Sequence, residues 1–261
     1  MKRLFTAFVA GAALCLGLAT DANASNIQVD YTGQIGAGNV RFNFNGDGQG
    51  TRTTSAGLFT FHEDSNTSGI DILGANSIYA FCIQLEQTVG GNNVGYTIGD
   101  LADGRTPNKD NRGTLGADRA KRIDMLFNLA FAGTGGIINP AAGSTVLQAV
   151  QIAIWEIAYE AGNATLGLGN GTISFVSSAN SNAALNYITN QNWLSTINST
   201  NLSTYQPSLF LWSMNNDRKQ DFVVQSDAGG ATEEVPEPGT MALSGLALVG
   251  LALLGRRKAR G

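Results

Sequence analysis

Residues 144–162 read STVLQAVQIAIWEIAYEAG. Leu147, Gln151, Ile154, Trp155 and Ala158 fall on one stripe at the 3.6-residue period, which predicts a helix with an apolar face. Ser144 is placed to cap its start and Gly162 to close it. Upstream, ADRAKRIDMLFNLAFAG (117–133) predicts a second helix. It puts Ile123, Leu126, Phe127 and Ala130 on one face, with Lys121, Arg122, Asp124 and Asn128 mostly elsewhere. A weaker helical pattern follows at 180–197.

Outside this stretch the periodicity changes. IQVDY (27–31), VRFNF (40–44), GLFTF (57–61), IYAFCIQL (78–85) and VGYTI (94–98) are short β-branched and aromatic runs separated by Gly, Asn and Asp. Val40, Phe42 and Phe44 alternate as in a half-buried strand. PSLFLWSM (207–214) and DFVVQS (221–226) predict two closing strands. The order implies an α+β, mainly β fold: a β-sandwich or barrel with a helical insertion at about 116–197. Ile123, Phe127, Leu147 and Ile154 are its candidate core residues.

Both ends read as targeting segments. Lys2 and Arg3 precede an apolar run, and Ala22-Asn23-Ala24 supplies a small-x-small cleavage pattern. Residues 1–24 are therefore a signal peptide, removed on export. Cys15 lies within it, without the spacing of a lipoprotein signal. At the other end Pro236-Glu237-Pro238 leads into an apolar run from Met241 to Leu254, closed by Arg256, Arg257, Lys258 and Arg260. Fourteen residues at about 1.5 Å each reach only ~21 Å, short of a ~30 Å hydrocarbon core. The basic cluster favours the cytoplasmic side, which predicts transient insertion into the inner membrane.

The triplet, short apolar helix and terminal arginines of 236–261 resemble the PEP-CTERM sorting signal. The resemblance implies recognition by an exosortase-type sorting enzyme and delivery to the cell surface or extracellular matrix. It also implies an association with exopolysaccharide or biofilm matrix.

Residues 25–228 remain to fold, about 200 residues and enough for one domain, with 229–235 as a linker. Charged residues make up only 14% of the chain and Gly 33 of its 261 positions, which suits an extracellular β-rich protein. Removing Lys2, Arg3, Asp21, Glu237 and the four C-terminal basic residues leaves 10 basic against 18 acidic groups, a net of −8. Such a surface repels nucleic acid and anionic membranes.

Cys82 is then the one cysteine of the mature chain. It sits between Phe81 and Ile83, while Gln151 lies on the apolar helical stripe. A thiol facing a primary carboxamide in a dry pocket can expel ammonia and leave an internal thioester, given walls that exclude water and an activated sulfur. Gln148 is the competing amide, roughly 300° around the helix from Gln151 at ~100° per residue. Equally, a lone apolar-flanked Cys is an ordinary core residue.

Phe81-Cys82-Ile83 and Gln151-Ile152-Ala153-Ile154-Trp155 resemble the two motifs of Cys-Gln thioester domains in bacterial surface adhesins. There the Thr that often precedes the Gln is replaced here by Val150. The resemblance implies covalent capture: an amine on a surface protein or extracellular polysaccharide attacks the thioester, forming an amide to Gln151 and freeing Cys82.

No catalytic constellation, metal site or cofactor is expected, and the chain reads as non-enzymatic. His62, the single histidine, lies on a different strand from Cys82. Asn43, Asn45, Asp47 and Gly48 echo a calcium loop, but Thr54 stands where the bidentate Glu belongs. Asp100, Asp103 and Asp110 read as a solvated loop, Glu156 and Glu160 as a polar helix face, and Trp155, Trp193 and Trp212 as core. The rival reading is a secreted hydrolase acting on matrix polysaccharide, which would depend on carboxylates.

Overall fold

In the computed structural model, which describes residues 26–45, 50–74, 76–104 and 113–227, two of the expected strands prove to be one. IQVDY and VRFNF are the ends of β1 (Asn26–Phe44), running through the Gly-rich segment between them. Register shifts after Gln28, Tyr31 and Ile35 break the ladder to its partner β2 (Arg52–Asn66). Each extra residue bends the strand and tightens its twist, so a long strand can curve around a small core.

That curvature closes a barrel. β1 pairs with β2, β2 with β3 (Ser77–Cys82), and β3 with β7 (Phe222–Gln225). The ring continues through β6 (Leu211–Asn215) and β4 (Val94–Asp100) back to β1, every pair antiparallel. Closure removes the free edges at which an open sheet can aggregate. A short strand within the helical stretch, β5 (Ile173–Val176), pairs with the far end of β1. An aromatic cluster contributes to the core: Phe222 packs on Phe59 and Phe61 with ring centroids 5.1 and 5.0 Å apart.

The insertion between β4 and β6 carries the helices. They are α1 (Ala117–Ala130), α2 (Ser144–Tyr159), α3 (Asn182–Asn190) and α4 (Trp193–Ser199). Helix α2 packs against β1 and β2 as well as α1 and α3. Gly36 and Gly38 of β1 permit this approach, because a Cβ at either would lie within 3 Å of Ser144 or of the Gln148 amide. Ile123, Phe127, Leu147 and Ile154 are all fully buried, as their faces predict.

Several local expectations are corrected. Gly143, in left-handed backbone, caps α2 in place of Ser144, and the helix ends at Tyr159, before Gly162. The third helical pattern is broken into α3 and α4 at Asn192, whose φ is +56°. On α1, Arg122 and Asp124 are buried. Asp124 accepts hydrogen bonds from the Leu209 and Ser208 amides and the Tyr205 hydroxyl, so it anchors the segment returning to β6.

Among the described residues no helix is long and apolar enough to cross a membrane. The expected signal peptide, the expected linker and the sorting residues Pro236, Glu237, Pro238, Arg256 and Arg257 lie outside the described residues.

Candidate functional site

Strand β3 loses its β2 partner at Ala80, which pairs with Phe59. On the other side β7 still holds it, through Cys82 opposite Phe222 and the Ile83 amide bonded to Asp221 O. The N–H and C=O of Cys82 would be costly to bury without partners.

Gln151 of α2 satisfies both. Its Oε1 accepts from Cys82 N at 2.9 Å, and its Nε2 donates to Cys82 O at 2.7 Å. A primary carboxamide carries one donor side and one acceptor side, so it continues the ladder that β2 abandons. Both residues are 0% exposed. The carboxamide therefore straddles the residue whose sulfur lies two bonds from that same Cα. Gln148, the competing amide, donates to Gly36 O on β1 at 2.9 Å.

The contact extends along one ridge of α2, since residues four apart lie one above another on a helix. Gln151 meets the Cys82 main chain. Trp155, fully buried one turn further on, leaves its indole N–H without a hydrogen-bond partner of ordinary geometry and draws the Cys82 thiol down against the effect of burial. Tyr159 accepts from Leu85 N at 2.8 Å. The sequence signal for Tyr159 was present, eight residues after Gln151, but only the path of residues 82–85 gives it a partner.

Behind the sulfur lies a buried polar network absent from the sequence reading. The thiol donates to Gln84 O, which also accepts from the Gln220 side chain at 2.8 Å. The Gln84 amide and Asp221 exchange two bonds of 3.1 Å. Burial pushes the Cys82 thiol far up, and the Asp221 carboxylate adds to that shift. The Gln84 main chain and the Trp155 side chain pull the other way. A free Cys82 is therefore a neutral thiol in a dry setting, which meets the expectation of dry walls and corrects that of an activated sulfur.

The remaining candidates do not join this site. His62 is exposed on β2, its Nδ1 3.0 Å from Asn76 O. Asp100 accepts from Ala102 N at 2.8 Å and caps a short turn; Asp110 lies outside the described residues. Asn45 donates to Gly171 O, while Asp47 and Gly48 are not among the described residues. No cluster of metal-ligating side chains occurs among the described residues. Trp155 and Trp193 are buried, and half-buried Trp212 donates to Ser226 Oγ at 2.9 Å.

Glu156 and Glu160 depart most from expectation, being buried where a polar face was read. The loop after α2 folds back over them. Glu156 Oε1 accepts from Gly167 N at 2.7 Å, and Glu160 Oε1 from the amides of Thr172 and Ile173. Burial pushes the Glu156 carboxyl up to about 8; the Gly167 bond opposes this and Glu160 repulsion adds to it.

The folded protein thus holds the Glu156 proton over a range where the unfolded chain has already lost it. Stability is full below the unfolded value of 4.5 and falls as pH rises towards 8, at up to about 1.4 kcal/mol per pH unit. Glu156→Gln is expected to flatten that decline. Urea unfolding of both proteins at pH 5 and pH 8 measures it, and parallel slopes would sink the assignment.

No curated protein sequence matches the chain. Among solved structures it is similar to two crystal forms of the pilus-presented adhesin Spy0125 (Cpa). The P1 form has 11% identity and a TM-score of 0.34, with 76% of this chain and 92% of that chain covered. The second form gives 11% and 0.33, covering 75% and 68%. Scores at this level do not establish a common fold. Residues 234–258 match the PEP-CTERM protein-sorting motif. That motif marks the protein as exported, directed to the cell surface and processed by an exosortase-type sorting enzyme.

Proposed function

We propose that the folded domain attaches covalently to amine-bearing partners at the cell surface or in the extracellular matrix, through an internal Cys82–Gln151 thioester. The observation that carries this is the Gln151 carboxamide bonded to both main-chain polar groups of Cys82 at a fully buried contact.

The chemistry balances without a cofactor. The Cys82 sulfur attacks Gln151 Cδ, the C–N bond breaks, and the amide nitrogen leaves as ammonia with the thiol proton. The carbonyl oxygen kept by the thioester is the one that accepts from Cys82 N–H, so the same donor stabilises negative charge on it as the tetrahedral centre forms. The burial that disfavours a thiolate does not penalise an uncharged thioester, and it protects that bond from water. A primary amine from a surface protein or an amino-bearing polysaccharide then takes the acyl group once. The role is adhesion or matrix attachment, with no turnover.

Intact mass of the exported protein tests this. The expected mass is one ammonia below that of the processed sequence. Methylamine should add to Gln151 and release a titratable Cys82 thiol, and Cys82→Ala should abolish both changes. Wild-type protein carrying its full mass and refusing methylamine would end the proposal.

A further inference from the structure

Along the ridge that meets β3, Gln151 and Tyr159 have conventional partners and Trp155 does not. Its indole N–H is fully buried with no hydrogen-bond partner of ordinary geometry. Trp212, by contrast, spends its N–H on Ser226. A buried donor left in this state needs an explanation. It lies one turn from Gln151, whose carboxamide holds Cys82, and it draws the Cys82 thiol down against the effect of burial. A neutral thiol is a weak acceptor and leaves such a donor poorly satisfied. A sulfur bearing charge is a far better one.

We infer that the Trp155 indole N–H is a built-in donor to the Cys82 sulfur that stabilises negative charge there when the C–S bond breaks. The orphaned N–H on this ridge stands on the structure; its use in amine capture rests on the thioester reading. When an amine nitrogen attacks Gln151 Cδ, the C–S electron pair moves to sulfur. Trp155 joins the Gln84 N–H, which already donates to the sulfur at 3.2 Å, in holding that thiolate, without giving up its own proton. The proton shed by the amine nitrogen ends on sulfur and restores the thiol, which donates again to Gln84 O. The Asp221 carboxylate opposes charge on this sulfur, which makes a dedicated donor valuable.

The test uses the exported protein. Trp155→Phe removes the N–H; if circular dichroism shows that variant unfolded, 3-benzothienylalanine at position 155 keeps the bicyclic shape without the donor. Methylamine addition is expected to slow at least about tenfold while the thioester still forms in full. Removing an oxyanion donor costs about 10²–10³ in rate, and sulfur accepts more weakly than oxygen. In protein that keeps Trp155, Cys82→Ala should move the Trp155 indole ¹H–¹⁵N resonance and leave that of Trp193 in place. A thioester that forms but reacts at the wild-type rate without the N–H overturns the inference. So does a Trp155 resonance indifferent to Cys82→Ala. A wild-type mass without ammonia loss removes the thioester reading alone. The indole shift, and slower alkylation of Cys82 without the N–H, then decide the contact.

Discussion

Replacing Gln151 by alanine is expected to destabilise the domain by about 3–6 kcal/mol. The change leaves Cys82 N–H and C=O buried without partners, at about 1–3 kcal/mol each, and opens a void beside β3. Both hydrogen bonds come from one side chain, and both residues are fully buried, so water cannot readily replace it. Cys82→Ala keeps the main-chain clamp and loses only a small side chain, which costs about 1–2 kcal/mol. Adding Gln151→Ala to the Cys82→Ala protein isolates the clamp from any cross-link. Urea unfolding of the single and double variants measures the difference. A double variant as stable as Cys82→Ala would show that the carboxamide does not hold the strand.

Phe222→Ala should cost about 3–5 kcal/mol, the range for deleting a fully buried aromatic ring. Phe222 is 0% exposed and touches Phe59, Phe61 and Tyr96, residues of β2 and β4. Its own strand joins β3 to β6, and it stands opposite both Cys82 and Met214. The void therefore weakens the barrel where its ring of pairings passes the candidate site. Under the thioester proposal, water admitted next to Cys82 should also convert the ammonia-deficient species to a hydrolysed one. A shift in urea midpoint worth less than about 1 kcal/mol would show that the aromatic cluster is not the centre of the barrel core.

The separation between strand and helix regions was legible because it depends on local period. α1 and α2 repeat at 3.6 residues, and the runs around Phe42, Phe61 and Phe81 alternate or stay apolar. Connectivity was less so. Residues 32–39 looked like a turn between strands because glycine is a turn residue, yet in β1 those glycines sit in a bulged strand under α2. β5 escaped notice because four residues inside a helical stretch carry too little pattern to register.

The sequence by itself determined the C-terminal sorting motif, the α+β class and the apolar helical faces, since each is a property of neighbouring residues. Only the tertiary structure decided that the barrel closes, because closure requires the start of β1 to meet both β2 and β4. It decided that Glu156, Glu160 and Asp124 are buried, because the amides they accept from arrive on later loops. It also decided what Gln151 touches. The helical stripe aimed the side chain at the core, but its length allowed it to meet sulfur or backbone alike. The departure of β2 at Ala80 left two unpaired main-chain groups at Cys82, and the carboxamide takes both.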